Sequence, residues 1–454
     1  MAINALLNLC GYVFIVLLYR HSIRTIFNRK IPTLQRDKNG CVLAEPHPAI
    51  KSFNAHLSML RPLEILFRFA TAPFRVLPDI IVLGETRCGT TNLCGHLTSV
   101  AEASSSSPRS GGMRGRIRKI KCYSPFCPWA FPELDHKESF YFVGHYLGIV
   151  DPYFYRMAFP LKITRWWEER VLGNIFFCFD GCAQYLTSPS APYLIACAYQ
   201  NENSGSGECI PPSLVACVRD PVEQSLSWWK YEMNACSWGE SMGLTEWNTS
   251  LRSHEYPPKS VGDALKFSQS SFIRKAYADA EDLAKKLITQ QMSNNPFFYR
   301  MKRLPNWSIT WPGGQLSTIG RSGKYSENIS RYNNVFSSLF EKHVKDPARQ
   351  GFVHIVPLEH QSRGLHLKAA LHPIFVNCMA RSAHRGSKQT QYTHLMTSID
   401  FAIDKVCAED NFDTSSRRNS GRSLVDSALE PCSFDIDELT KYFESNSQIS
   451  KTES

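Results

Sequence analysis

Three short apolar runs mark the middle of the chain, and each ends in a polar turn. The first, Ile80 to Leu83, follows Leu77-Pro78-Asp79. It is continuous rather than alternating, the pattern of a strand covered on both faces in a parallel sheet. Thr90 to Leu97 behind it reads as the start of a helix. The second run, Leu214 to Val218, leads into Arg219-Asp220-Pro221-Val222-Glu223. That stretch predicts a helix start, with Asp220 as N-cap, Pro221 in the first turn and Glu223 closing a capping box. The third run, Phe352 to Leu358, ends at Glu359. Strand–helix units of this kind predict an α/β fold with a central parallel sheet flanked by helices. Ligands of such sheets bind at the carboxyl ends of the strands.

Other regions depart from this pattern. Residues 101–121 pass from Ser104–Ser107 through Gly111-Gly112 into Arg109, Arg114, Arg116, Arg118, Lys119 and Lys121. They read as a solvated insertion, the functional alternative being a flap that guides an anionic substrate. Residues 408–430 are polar and read as a surface loop or disordered segment. At the N-terminus, Ile3 to Tyr19 is an apolar run of 17 residues without charge. That length is near the lower limit for crossing a bilayer. No small-residue cleavage site follows, so the run predicts a retained signal anchor. Arg20, Arg24, Arg29 and Lys30 behind it suit a membrane interface, although the positive-inside rule would keep this flank cytosolic. The expected organisation is an anchor and basic flank over 1–30 and a stem over 31–76. A catalytic domain over 77–406 follows, then a polar segment and C-terminal helix over 407–454.

Composition narrows the class. With 454 residues, 43% hydrophobic and 20% charged, the chain can bury a large core. A net charge of +10 points to acidic partners such as anionic glycans or nucleotides. No Arg-rich tract is long enough to argue for nucleic acid. None of the 15 cysteines forms a CxxC pair, which disfavours a zinc site and suggests scattered disulfides in an oxidising compartment. Glycosylation sequons begin at Asn248, Asn306 and Asn328, in keeping with a lumenal domain.

The chemistry centres on Gly84 to Leu93, GETRCGTTNL. Gly84 and Gly89 have the spacing of a phosphate-binding loop, but Thr90 stands where a nucleotidase carries lysine. Backbone N–H groups from Cys88 through Gly89, Thr90, Thr91 and Asn92 can face an anion at the helix N-terminus. Without that lysine, and with no clear metal-binding partner, the loop suits a phosphate that needs no metal. The second loop, VRDPVEQSLSWW, places Arg219 at a strand end and Ser227 in the following helix. A guanidinium fork and a hydroxyl there can converge on a second phosphate. Trp228 and Trp229 offer core packing, with an adenine neighbour as the alternative use of one of them.

LPDIIVLGETRCGTTNL resembles the 5′-phosphosulfate loop of the sulfotransferases that use 3′-phosphoadenosine 5′-phosphosulfate (PAPS), and VRDPVEQSLSWW resembles their 3′-phosphate motif. The similarity is closest to the membrane-bound, heparan-sulfate-type carbohydrate branch and covers roughly residues 77–400. Weaker likenesses follow in the family's order: Lys137 to Phe142, then Tyr146 and Gly148 through Tyr155 and Pro160, Tyr325 through Phe336, and HIVPLEH ending at His360. The resemblance implies a P-loop-like sheet and a Golgi or other secretory-pathway membrane protein. It also implies PAPS as sulfuryl donor without metal, and a glycan or glycoconjugate acceptor. It makes Glu138 the general base and Lys137 a group that steadies the transferring sulfuryl. Arg87 stands where many relatives carry a catalytic lysine. Its guanidinium does not readily give up a proton, so it is assigned electrostatic stabilisation of the leaving phosphate. Arg385-Gly386-Ser387-Lys388 is the candidate loop over the 3′-phosphate and adenine. Phe179 to Leu186 departs from the family, lacking a lysine and a proline beside the acceptor cleft. The competing expectation is a sulfotransferase fold that binds PAPS or an anionic glycan without turnover.

Overall fold

The computed structural model describes residues 67–105, 119–125, 137–139, 141–143, 154–200, 211–230, 261–293, 318–340, 352–361, 365–384 and 389–408, with positions 441 and 444. The expected anchor, most of the stem, residues 106–118, His136, Tyr146, Gly148, Arg385–Lys388 and residues 409–430 lie outside the described residues.

The described strands form a single all-parallel sheet. They are β1 (Ile80–Gly84), β2 (Ile120–Tyr123), β3 (Ile175–Asp180), β4 (Ser213–Val218) and β5 (Val353–Pro357), in the order β2-β3-β1-β4-β5. The central β1 aligns Ile81 with Asp180 of β3 on one side and with Leu214 of β4 on the other. Its five residues are all buried. The pleat sends successive side chains to opposite faces. Ile81, Leu83, Cys178, Leu214 and Ala216 enter one core layer, and Ile80, Val82, Phe177, Val215 and Cys217 enter the other. Both faces are apolar, which is why these segments read as unbroken hydrophobic runs.

Helices cover both faces. The second layer is closed by α1 (Thr90–Ser105), with Leu93 and Leu97 turned inward, and by α7 (Leu365–His384) and α8 (Gln389–Ala408). The first layer is closed by α2 (Ala191–Gln200) and α6 (Tyr325–Phe340), the latter through Tyr332, Phe336 and Phe340. Each such fully buried side chain contributes roughly 1.5–3 kcal/mol relative to exposure, so these two layers carry most of the fold's stability. The helix after β4, α3 (221–230), packs Trp228 and Trp229 against α4 (Val261–Ser268), and α5 (Ser271–Ser293) follows. Both tryptophans are therefore core residues. The Trp228 indole N–H donates to Thr318 Oγ1 at 2.9 Å.

Several expectations need correction. The insertion expected from residue 101 begins later, because α1 runs to Ser105, and its end is strand β2. Only Ile120 of β2 is buried, as befits a sheet edge, so its lysine-bearing sequence hides the strand. Cys88, Cys94, Cys122, Cys178, Cys182, Cys217 and Cys407 are free thiols, and the first six sit in or beside the core rather than in disulfides. The Asn328 sequon lies within α6. Its side chain is 3% exposed and donates to the Arg321 carbonyl at 3.0 Å, leaving no room for a glycan. The capping box at Asp220 is half made. Asp220 Oδ1 accepts from the N–H groups of Val222 and Glu223, but the Glu223 carboxylate turns to Arg219 instead of reaching back.

Candidate functional site

The loop from β1 to α1 is shaped by backbone conformations that favour glycine. Gly84 has φ 140° and Gly89 φ 83°, with Arg87 between them at φ 66°. A Cβ on Gly84 would lie 2.5 Å from the Ala183 carbonyl oxygen, and one on Gly89 would lie 2.5 Å from Leu358 Cδ1. The two glycines are thus required by close approach as well as by φ. Glu85 N–H donates to the Cys217 carbonyl at 2.9 Å, fastening the loop to the end of β4. The first helical bond of α1 runs from Leu93 N–H to the Gly89 carbonyl at 3.0 Å. The N–H groups of Thr90, Thr91 and Asn92 precede it and belong to the first turn, which has no intrahelical acceptors. With the helix dipole behind them they favour an anion.

The loop after β4 reaches the same place with side chains. Arg219 Nε and Nη2 donate to Glu223 Oε2 at 3.1 and 2.8 Å. Ser227 Oγ accepts from Arg87 Nε at 3.0 Å, joining the two loops. Gln224, which the sequence reading passed over, is fully buried and donates from Nε2 to the Thr86 carbonyl at 2.8 Å. Its Oε1 accepts from Ser322 Oγ at 3.0 Å. Gln224, Ser227 and Trp228 fall at i, i+3 and i+4 on one face of α3, a spacing visible in the sequence once that helix is placed.

A third segment closes in from the β3 side. The Lys137 ammonium donates to Thr90 Oγ1 at 3.3 Å and to the Gly181 carbonyl at 3.2 Å, and it forms a short ion pair with Glu138. Burial pulls the Lys137 pKa down, but the adjacent Glu138 carboxylate outweighs it, and the ammonium is held above its ordinary value. Ser139 fixes this segment. Its N–H and Oγ donate to Asp180 at 2.9 and 2.6 Å, and Tyr155 and Tyr185 add hydroxyl donors at 2.7 and 3.0 Å. Burial raises the Asp180 carboxyl against the pull of these donors. The Asp180 hub at the end of β3 thus anchors Ser139, the residue next to Glu138.

Beneath the first loop sits Glu85, 2% exposed, accepting from Thr86 N–H at 2.9 Å and from the Thr187 hydroxyl. Burial pushes its pKa up to about 8, so at neutral pH it is largely uncharged and does not repel an anion above it. Cys88 Sγ lies 3.3 Å from the Tyr325 hydroxyl, and burial pushes that thiol up to about 12. It is an inert packing group under these conditions. The Gln361 side chain, buried beyond β5, donates to the Cys88 carbonyl at 3.3 Å.

Compared with protein-family models, curated proteins and solved structures, the chain matches none. The geometry alone therefore defines what this end of the sheet can do. Arg87, Lys137 and Arg219, three cations from three segments, gather with Thr90, Ser227 and the first-turn N–H groups of α1. Thr91 is exposed at the mouth of the loop and Asn92 half-buried. The set is rich in donors and positive charge, with the Glu138 carboxylate paired to Lys137 and the Glu223 carboxylate to Arg219. It suits a polyanion and a reaction in which a proton is taken by a carboxylate.

Proposed function

We propose that the chain is a PAPS-dependent sulfotransferase acting on a carbohydrate or glycoconjugate, with the P-loop-like β1 loop as its 5′-phosphosulfate site. One observation carries the reading: three motifs more than forty residues apart in sequence converge, through Arg87–Ser227 at 3.0 Å and Lys137–Thr90 at 3.3 Å, at the carboxyl ends of β1, β3 and β4. The donor set fits the nucleotide, since it offers a backbone anion site after β1 and a guanidinium after β4 for its two phosphate-bearing ends. When bound, PAPS supplies an activated sulfuryl group on a phosphate leaving group.

The residues then divide the work. Thr90, Thr91 and Asn92 hold the 5′ end through N–H and hydroxyl donors, while Arg219 and Ser227 take the 3′-phosphate. Glu138 accepts the proton of the acceptor hydroxyl or amine as the acceptor oxygen or nitrogen bonds to sulfur. Lys137, kept protonated by Glu138, balances charge on the transferring group, and Arg87 stabilises the departing phosphate. Positioning and electrostatics carry the catalysis, as in phosphoryl transfer. The membrane anchor and lumenal Golgi placement belong to the same proposal.

A second reading, nucleotide binding without turnover, is favoured by Arg87 in place of a proton-donating lysine. Metal-free equilibrium binding to the full chain tests the shared step. PAPS should bind without added magnesium and ATP should compete weakly. Absence of PAPS binding would remove both readings.

A further inference from the structure

Among the described residues, the amino end of the sheet carries a concentration of exposed large apolar side chains. Residues Lys162–Trp166 form an α-helical turn that continues as a π-turn over Trp167–Val171, just ahead of β3. Ile163, Trp166, Trp167, Val171 and Leu172 are 60, 50, 51, 47 and 53% exposed. Phe74, from a segment almost ninety residues earlier, is 67% exposed. Arg75 pairs antiparallel with Leu161, which sets Phe74 beside the start of this turn. Large exposed apolar side chains gathered from two segments mark an interaction surface rather than ordinary scatter.

The charges around it are sorted. The acidic residues of the segment face protein partners: Glu168 accepts from Asn174 at 2.6 Å and from Tyr123 at 3.2 Å, and Glu169 sits 3.9 Å from Arg165. Arg165 is itself drawn inward, paired with the buried Asp79 and stacked 4.5 Å over Phe176. Lys162 and Arg170 are exposed beside the tryptophans. Exposed indoles flanked by cations, with the acids turned away, form the pattern of a helix lying in a bilayer interface. The chain before Phe74 also contains the apolar run Ile3–Tyr19 and its basic flank, a segment whose sequence itself suits a membrane.

We propose that this face, Phe74 with the Lys162–Leu172 turn, docks on the lipid headgroup interface. The occupant is the membrane rather than a second protein. Because the turn precedes β3 and Phe74 precedes β1, docking puts the amino ends of the strands toward the bilayer. The anion site at their carboxyl ends then points away from it. The inference does not depend on the sulfotransferase reading.

The test reconstitutes the full chain in phosphatidylcholine nanodiscs, with and without phosphatidylserine, containing a lipid with a photoactivatable diazirine near the headgroup. Adducts are mapped by mass spectrometry. The expected result is labelling of peptides bearing Phe74 and Trp166-Trp167, stronger with phosphatidylserine. Ile355, 48% exposed on the far edge strand, should remain unlabelled and serves as an internal control. Trp166→Ser with Trp167→Ser should lose the adducts in that turn while labelling near Ile3–Tyr19 persists. Adducts confined to the N-terminal run, or protein–protein cross-links through the turn in place of lipid adducts, would overturn the proposal. The map of the unsubstituted chain decides between these outcomes even if the double variant folds poorly.

Discussion

The loop after β1 is held by backbone, and the loop after β4 is held by side chains. The first has two glycines pressed against the Ala183 carbonyl and Leu358, an N–H bonded to the end of β4, and a buried neutral acid beneath it. The second presents Arg219 on a half-exposed stem, with a carboxylate from its own helix occupying the guanidinium. A backbone anion site is fixed before the ligand arrives, whereas a side-chain site must exchange one partner for another. The comparison assigns rigidity and positioning to the first loop and adjustable affinity to the second. Substitutions in the two loops should therefore fail in different ways.

The largest effect is expected at Gly84. Alanine there meets a backbone oxygen at 2.5 Å and keeps an unfavourable φ. The cost should be on the order of 4 kcal/mol, beyond the roughly 0.5–3 kcal/mol of ordinary substitutions. Chemical unfolding would register it; a loss below about 1 kcal/mol would mean the loop is not tightly held.

Next comes the buried acid. The folded pKa of Glu85 is raised by burial from 4.5 to about 8, so the folded state keeps a proton that the unfolded chain releases. Its contribution to stability is full below pH 4.5 and is lost as pH rises toward 8, at about 1.4 kcal/mol per pH unit. Unfolding free energies measured from pH 5 to 8 should fall in the native chain and stay flatter in Glu85→Gln. Parallel slopes would show that Glu85 is already ionised.

A smaller effect is expected at the second loop. Arg219→Ala should leave stability almost unchanged yet weaken nucleotide binding by about 1.5–3 kcal/mol, the worth of hydrogen bonds to a charged group. Isothermal calorimetry with 3′-phosphoadenosine 5′-phosphate, the product nucleotide, separates the two effects. The smallest is Glu223→Gln. Freeing Arg219 from an exposed ion pair should tighten that binding by only about 0.3–0.5 kcal/mol. A loss of affinity instead would mean that Glu223 orients Arg219 rather than competing for it.

Much of this arrangement was legible in the sequence, but unevenly. The strands β1, β4 and β5 announce themselves as apolar runs because both faces of the sheet are covered. Gly84, Gly89 and Asp220 are readable because their residue types answer to backbone conformation. Strand β2 was hidden because an edge position lets Lys121 stay on it. Glu223 was misplaced because capping and ion pairing compete for the same carboxylate, and only geometry decides between them. Glu85, Gln224 and Asp180 were missed for one reason. A polar residue that acts by being buried looks in sequence like any surface polar residue. The converse holds for Asn328, whose sequon is intact while its side chain is inside.

The central claim is that these loops and the Lys137–Glu138 pair serve one group transfer. The direct test follows sulfur-35 from PAPS to a panel of glycans with the full chain, alongside Glu138→Gln and Arg219→Ala. The account predicts label on a glycan with the native chain. It predicts loss of transfer with retained nucleotide binding in Glu138→Gln, and reduced transfer with weakened nucleotide binding in Arg219→Ala. Transfer undiminished in Glu138→Gln would contradict the proposed base, and nucleotide binding undiminished in Arg219→Ala would contradict the shared site.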